Sequence, residues 1–229
     1  MNVTITPSII RCPGVLRDRA TITNRLGCER VHVDIALGFG YPVILTLDSF
    51  GIQERNWFQS SIDMHVFSFV KSYDVPNLPL REGDRLIAHC FPGERNLFLP
   101  ALRRVASDHG AYFGICVDLS TSIVDAEEIA QQCDLLMVLS IPIGGSGLPL
   151  DLRAIPFLAK AREDIASKIN CAIGIDGGVT EWSFGTLCAY VDVMVVGGLL
   201  FGAPDIEQRW KDLLEISARI TKIENGGVS

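Results

Sequence analysis

The chain has 229 residues, of which 48% are hydrophobic, and its formal net charge at pH 7 is −7. This length and hydrophobic content suit one large buried core, so we expect residues 1–229 to form a single domain. The negative charge argues against a nucleic-acid partner and against a basic membrane-binding surface. A small anionic substrate is compatible with it, because backbone N–H groups can bind phosphate on an acidic protein.

The sequence carries no signs of export or membrane insertion. It has no basic leader followed by an apolar segment, and no apolar run reaches about 18 residues. Its seven cysteines are an odd number without a close CxxC pair. Most lie in apolar segments, where cysteine behaves as a small hydrophobic residue rather than as part of a disulfide framework. We therefore expect reduced thiols and a cytoplasmic location.

Eight short β-rich segments recur along the chain, with intervals of helical length between them. The predicted strands begin near Val3, Arg30, Ile62, Arg85, Ala111, Asp134, Asn170 and Val191. Residues 135–139 and 193–196 are continuously apolar, which is typical of strands that are covered on both faces.

The intervals between the strands carry helical patterns. Residues 125–132 have an acidic first turn, and residues 205–223 place apolar side chains at three- and four-residue spacing. The prolines of segments 73–80 and 92–100 instead predict loops or helix boundaries. Strands alternating with helices predict the α/β class and a (β/α)8 TIM barrel; a doubly wound open sheet is the alternative.

Polar residues interrupt several of these apolar strands, namely Ser8, His32, Asp34, His65 and Asp176. Burying such groups is costly unless something compensates for their lost hydration. His32 and Asp34 are two residues apart on one strand, so their side chains point to the same side. A lone histidine near a strand end is more often a core residue. Two histidines and two carboxylates from three strands, however, predict a site for one Zn²⁺, Mn²⁺ or Fe²⁺ ion at the barrel rim.

Two further polar residues lie near this set. Asp63 shares the face of His65 but lies deeper in the strand, which fits a role in supporting the metal ligands. His89 ends the fourth predicted strand, and the sequence leaves open whether it lines the pocket.

Glycines follow the last three predicted strands. They are Gly144, Gly145 and Gly147 around Ser146, then Gly177 and Gly178, then Gly197 and Gly198. A single Gly-Gly pair is usually only a turn. Phosphate sites of TIM barrels are often built from the loops after strands seven and eight, so glycines in three consecutive loops predict phosphate binding.

Together these motifs resemble the ribulose-phosphate 3-epimerase family. In chain order the matching segments are Pro7-Ser8-Ile9, His32-Val33-Asp34, Asp63-Met64-His65, His89, Pro142 with Gly145, Asp176-Gly177-Gly178-Val179, Val196-Gly197-Gly198 and Phe201-Gly202. The resemblance covers most of the chain and implies a (β/α)8 barrel of the ribulose-phosphate-binding type.

The resemblance also implies roles for these residues. His32, Asp34, His65 and Asp176 would bind one divalent metal ion, with zinc favoured and iron, manganese or cobalt as alternatives. Asp34 and Asp176 would also be the catalytic acid and base. The expected substrate-binding residues are Ser8, His65, Gly145, Ser146, Gly177, Gly178, Gly197 and Gly198. The implied partners are a small phosphorylated ketose and further copies of this chain, in a homo-oligomer.

The implied reaction is consistent with these side chains. Inverting the carbon next to a ketone requires removal of a weakly acidic proton and its return on the opposite face, through a cis-enediolate. Two carboxylates on opposite sides of that plane can act as base and acid. Strands two and seven lie across the barrel mouth from each other, as this reaction requires.

The sequence departs from the family pattern around the pocket. Where the family usually continues Met-Asp-Gly-x-Phe-Val-Pro-Asn after the His-x-Asp motif, this chain has the sequence of residues 36–42, Ala-Leu-Gly-Phe-Gly-Tyr-Pro. Phe67 replaces a methionine, and residues 141–147 replace Asn-Pro-Gly-Phe-Gly-Gly-Gln. The ligands are kept while the walls change, which favours a different ketose phosphate as substrate.

Two alternatives stay open. One is a related barrel enzyme that decarboxylates a keto-acid sugar phosphate, against which the absence of a lysine at the matched strand ends counts. The other is a non-catalytic protein that binds a sugar phosphate without converting it.

Overall fold

Parallel strands and helices alternate throughout the computed structural model, which describes residues 3–37, 45–46, 49–68, 77–89 and 95–224. Within these ranges the strands are β1 Thr4–Pro7, β2 Arg30–Leu37, β3 Leu45–Thr46, β4 Ser61–Ser68, β5 Arg85–His89, β6 Tyr112–Asp118, β7 Leu135–Leu139, β8 Ala172–Asp176 and β9 Val193–Val196. All but β3 begin within two residues of a predicted start. The β3 strand, two residues long, was not predicted.

The described helices lie between the strands and after the last one. They are α1 Leu16–Arg25, α2 Ile52–Arg55, α3 Arg95–Asp108, α4 Ile123–Ala130, α5 Ala154–Ala161, α6 Glu181–Cys188, α7 Gly198–Phe201 and α8 Ile206–Glu224. Helix α4 begins where the Ser122 hydroxyl accepts a hydrogen bond from the backbone N–H of Asp125. Among the described helices, none combines the length and the apolar composition that crossing a bilayer requires.

The segment 92–100 contains the expected helix boundary, since α3 begins at Arg95. Pro100 lies inside α3 rather than at its end. A proline within a helix removes one backbone hydrogen bond. Leu102 and Ala106 of the same helix are buried against the sheet, and this packing holds the helix together through the proline.

The strands form one parallel sheet in the order β1-β9-β8-β7-β6-β5-β4-β2-β3. From β9 back to β4, strands that are neighbours in the sheet are also neighbours in the chain, and β4 pairs with β2. A parallel bridge between Ser8 and His32 joins β1 to β2. Closure by this seam gives the predicted barrel. The order shows no reversal of the kind found in a doubly wound open sheet, so that alternative is wrong.

The barrel interior is filled in layers. A buried apolar layer consists of Ile87, Cys116, Leu135, Met137, Leu139, Val193 and Val195. A second, larger core fills the space between the strands and the surrounding helices. The predicted metal ligands lie at the carboxyl ends of the strands, above the interior layer.

An ionic cluster closes the opposite end of the barrel. The fully buried carboxylate of Asp63 accepts hydrogen bonds from Nη1 of Arg30 at 2.8 Å and from Nη1 of Arg85 at 3.0 Å. The expectation that Asp63 supports the metal ligands was therefore wrong, since its carboxylate is fully engaged by two arginines from the neighbouring strands.

Replacing Asp63 by asparagine is expected to lower the free energy of unfolding by about 3–5 kcal/mol, because two largely buried guanidinium groups lose their counter-charge. Urea denaturation followed by circular dichroism measures the change. Asp108→Asn is the matched control, because the Asp108 carboxylate is exposed and its ion pair among the described residues is with exposed Arg104; its effect should stay below about 1 kcal/mol. Equal effects of the two substitutions would show that the cluster does not stabilise the barrel.

Candidate metal centre

Three strands bring four predicted ligands together. His32 and Asp34 project from the same face of β2, and β4 is paired in a register that places His65 beside Asp34. Asp176 is the last residue of β8. One ligand atom from each of the four side chains lies within 4.8 Å of the others. The structure therefore assembles all four residues at one place, although Asp176 follows His32 by more than 140 positions in the chain.

The contacts between histidines and carboxylates are close and nearly equal. Nε2 of His32 lies 3.3 Å from Oδ1 of Asp34 and 3.3 Å from Oδ2 of Asp176. Nδ1 of His65 lies 3.4 Å from Oδ1 of Asp34 and 3.2 Å from Oδ2 of Asp176. Each nitrogen thus faces both carboxylates, and each carboxylate uses a single oxygen for both histidines.

The charges in this cluster shift its proton equilibria strongly. Burial by itself would lower the pKa of His32, but the carboxylates of Asp176 and Asp34 outweigh it and raise that pKa to about 10. The pKa of His65 is also raised well above its usual range despite burial, by Cys116 and by hydrogen bonds with the two carboxylates. Although burial opposes it, the histidines hold the pKa of Asp34 and of Asp176 below the usual range.

The donor set fits a divalent cation. Ligands arranged tetrahedrally at about 2.0 Å from a zinc ion lie about 3.3 Å from one another, which matches the four nitrogen–oxygen distances given above. Two neutral imidazoles and two carboxylates also supply the two negative charges that balance such an ion. A cation would therefore replace the protons that these histidines carry in the metal-free protein.

A second layer of side chains lies behind His65. Nδ1 of His89 is 3.4 Å from Nε2 of His65, and the ring of Phe67 lies 4.1 Å from the ring of His65, centroid to centroid. Burial and the neighbouring His65 lower the pKa of His89 to about 3, so this imidazole is neutral. His89 thus packs against a predicted ligand, where it can fix the orientation of that ring. Cys116 completes this group and was not singled out from the sequence.

A cavity of about 550 Å³ opens above the four ligands. Asp34 and Asp176 line it, whereas His32 and His65 are fully buried beneath them. The other predicted site residues in its wall are Ser8, Gly145, Ser146, Gly177, Gly178, Gly197 and Gly198. The glycine loops and the two carboxylates therefore face one space.

The Gly177-Gly178 pair requires glycine at both positions. Their φ angles are +94° and +68°, in the region that side-chain-bearing residues rarely adopt. A Cβ on Gly177 would lie 2.4 Å from Cγ1 of Ile141, and one on Gly178 would lie 2.5 Å from the backbone of Leu150. Among the described residues, the backbone N–H groups of Gly178 and Ser146 have no hydrogen-bond acceptor. Such N–H groups are suited to an anion.

The rest of the cavity wall is formed by residues that the sequence did not indicate as site residues. Ile10, Phe67, Ile141 and Ile143 make one side of it apolar. Arg11, Glu181 and Trp182 also line the cavity and were not predicted. The position of Arg11 could have been inferred, because it follows Ser8 by three residues at the end of the first strand. Residues 38–44, which include most of the divergent segment after Asp34, lie outside the described residues.

Comparisons with known proteins agree with this architecture. Residues 4–201 match the model of the ribulose-phosphate 3 epimerase family. The ribulose-phosphate 3-epimerase of Aquifex aeolicus (strain VF5) is 28% identical over 194 residues, which cover 83% of this chain and 86% of that protein. The ribulose-phosphate 3-epimerase of Chlamydia muridarum is 26% identical over 221 residues, covering 93% and 94%.

Solved structures with much lower identity share the fold alone. The 3-hexulose-6-phosphate synthase from Salmonella typhimurium has a TM-score of 0.65 at 12% identity, over 96% of this chain and 100% of the other. Tryptophan synthase subunit alpha from Campylobacter jejuni has a TM-score of 0.62 at 13% identity, over 94% and 95%. With the family match over most of its length, the chain belongs to the ribulose-phosphate 3-epimerase family, a family of isomerases.

Proposed function

We propose that this protein is a metal-dependent epimerase that inverts the carbon next to the ketone of a phosphorylated ketose. The observation that carries the proposal is the position of Asp34 and Asp176. Each carboxylate turns one oxygen towards the histidines, and its other oxygen accepts no hydrogen bond from any described residue. Both carboxylates line the cavity, so the second oxygens are available to a substrate.

In this proposal the two aspartates transfer the proton. Asp34 and Asp176 stand on β2 and β8, which β1 and β9 separate around the barrel, and in the proposal a flat substrate presents one face to each carboxylate. One carboxylate removes the proton from the carbon and the other returns a proton to the opposite face, through a cis-enediolate. A divalent ion held by His32, Asp34, His65 and Asp176 would polarise the ketone and stabilise the negative charge that develops on the substrate oxygens.

The glycine loops bind the phosphate group in this proposal. Free N–H groups of Ser146 and Gly178 supply the hydrogen bonds, together with those of Gly177, Gly197 and Gly198. Gly145 shapes the loop instead, because its own N–H donates to the Pro142 carbonyl. Ser8 contacts the sugar end, whereas His65, expected to bind substrate as well, lies fully buried beneath the two carboxylates and does not line the cavity. The apolar wall around Phe67 supports a ketose other than D-ribulose 5-phosphate as the preferred substrate.

Uptake of solvent deuterium tests the reaction. The purified, metal-loaded protein is incubated in D₂O with pentulose, tetrulose and hexulose phosphates, and exchange at the carbon beside the ketone is followed by NMR. We expect exchange and epimerisation with at least one of them. Exchange is measured because it reports proton abstraction even when no net conversion accumulates.

Other results would support the alternative functions. Binding of a ketose phosphate without exchange would favour the non-catalytic binding protein. Release of carbon dioxide from a keto-acid sugar phosphate would favour the decarboxylase. Neither alternative is favoured by a particular contact among the described residues, and no described lysine lines the cavity.

We also propose, from the family resemblance, that the ion is zinc and that the protein is a homo-oligomer. Metal analysis of the purified protein tests the first proposal, with iron, manganese and cobalt as the competing results. Light scattering with size-exclusion chromatography tests the second, and a monomer at micromolar concentration would contradict it.

A further inference from the structure

Arg11 lies at the end of the cavity formed by the glycine loops. It closes the short helical turn Ile9–Arg11 that follows Ser8. A Cβ built on Gly197 would lie 3.0 Å from Cγ of Arg11, and one built on Gly147 would lie 3.4 Å from its Nη1. The stem of Arg11 therefore rests on the loop after β9, and its guanidinium group reaches the loop after β7.

The guanidinium group of Arg11 is unpaired within the part of the chain that the structure describes. Among the described residues, no carboxylate forms an ion pair with Arg11 and no acceptor hydrogen-bonds its side chain. Most arginines of the barrel behave differently; Arg55, for example, forms a buried two-point contact with Asp84. Arg11 is also the one lysine or arginine among the described residues that line the cavity.

Its surroundings suit an anion. The free N–H groups of Ser146 and Gly178 belong to loops that line the same space, yet they carry only partial charges. A guanidinium group adds a full positive charge and a planar pair of donors that matches two phosphate oxygens. On a chain with a net charge of −7, this cation is also positioned to attract a dianion that the protein as a whole repels.

We propose that Arg11 is a specificity-determining residue that binds the phosphate group of the substrate and thereby selects phosphorylated over neutral ketoses. The inference rests on the proposed function and assigns a side-chain charge to a site otherwise made of backbone N–H groups. The lack of a side chain at position 197 leaves room for Arg11, because a Cβ there would lie 3.0 Å from its Cγ.

Three substitutions test this assignment in the metal-loaded, full-length protein. Arg11→Gln removes the charge at similar length, Arg11→Lys restores a charge without the planar fork, and Arg104→Gln is the control on an exposed face of α3. The readouts are kcat and KM in the exchange reaction and, independently of turnover, the calorimetric Kd for inorganic phosphate.

For Arg11→Gln we expect KM and the Kd for phosphate to rise about 10- to 100-fold, the range for a lost hydrogen-bonded charge contact. We expect kcat to stay unchanged, because the phosphate contact is the same in the ground state and the transition state. Arg11→Lys should recover part of the affinity, and Arg104→Gln should behave as the unsubstituted protein.

Two results would overturn the assignment. One is an Arg11→Gln protein with the same KM and the same phosphate Kd as Arg104→Gln. The other is a fall in kcat with both affinities unchanged, which would place Arg11 in another role. Should the unsubstituted protein exchange no ketose phosphate, the proposed function fails, while the phosphate titration still decides the role of Arg11.

Discussion

Replacing Asp176 by asparagine is expected to lower the rate of epimerisation by about 10²- to 10⁴-fold while the barrel stays folded. Asparagine has nearly the same volume and keeps one oxygen where the carboxylate oxygen faces His32 and His65. It cannot accept and release a proton at neutral pH, so one of the two proton-transfer groups is lost. Coupled assays of epimer formation, with circular dichroism for folding, measure the effect.

A comparison with Asp34→Asn sharpens this test. The carboxylate that remains in each variant can still remove a proton from one epimer, exchange it with solvent and return it to the same face. The two variants should therefore retain deuterium exchange with opposite epimers, while both lose epimerisation. Exchange lost with the same epimer in both variants would contradict the two-carboxylate mechanism.

Each of these substitutions also removes a predicted metal ligand, and this effect must be separated from the loss of proton transfer. Both aspartates belong to the predicted donor set, so each variant is assayed at saturating metal and its bound metal is measured. Epimerisation retained by Asp176→Asn with full metal occupancy would remove Asp176 from the proton transfer.

Removing the metal is expected to abolish exchange and to destabilise the protein. An ion that binds only the folded state, present at 100 times its Kd, stabilises that state by about 2.7 kcal/mol. Chelation should therefore lower the melting temperature, and readdition of the ion should restore both the melting temperature and exchange. Unchanged exchange after complete removal of metal would contradict the ligand assignment.

Metal affinity should increase with pH. Because the pKa of His32 is raised to about 10, its ring carries a proton through the neutral range in the metal-free protein, and the ion must displace it. Displacing this one proton makes the apparent affinity rise about tenfold per pH unit up to about pH 10 and fall as the pH drops. The lowered pKa values of Asp34 and Asp176 leave both carboxylates ionised across this range.

Calorimetric titration in buffers of different ionisation enthalpy counts the released protons. We expect about two per ion near pH 7, one from His32 and one from His65, whose pKa is also raised. His32→Gln should reduce the number by one. Binding without proton release would show that these histidines carry no proton in the metal-free protein.

Much of the fold could be predicted because its signals are local. Continuous apolar segments of strand length mark β7 and β9 directly, since strands covered on both faces contain few polar residues. The meeting of His32, Asp34, His65 and Asp176 was also predictable, because the carboxyl ends of parallel strands lie on one rim. Knowing where the strands end was enough for this prediction, and no knowledge of side-chain packing was required.

The parts that could not be predicted depend on contacts between distant segments. The alternation along β4 places Asp63 on the same face as His65, which suggested that it supports the metal ligands. The arginines that bind its carboxylate come from β2 and β5, and no local pattern indicates that contact. The helix through Pro100 depends on burial of its later residues, which outweighs a local preference. Arg11 became informative only when the structure placed it beside Gly147 and Gly197.

The seam between β1 and β2 has a consequence for the order of events during synthesis of the chain. Strand β1 is made first, but its full-length parallel partner is β9, residues 193–196. Ser8 reaches His32 in a closed barrel only after that last strand has left the ribosome. A nascent chain that ends before β9 can pair β2 with β4 and still lack Asp176 in its final position, because β8 would form an open edge. High-affinity metal capture should therefore be a late event, and an ion bound at the site would mark a chain whose barrel has closed.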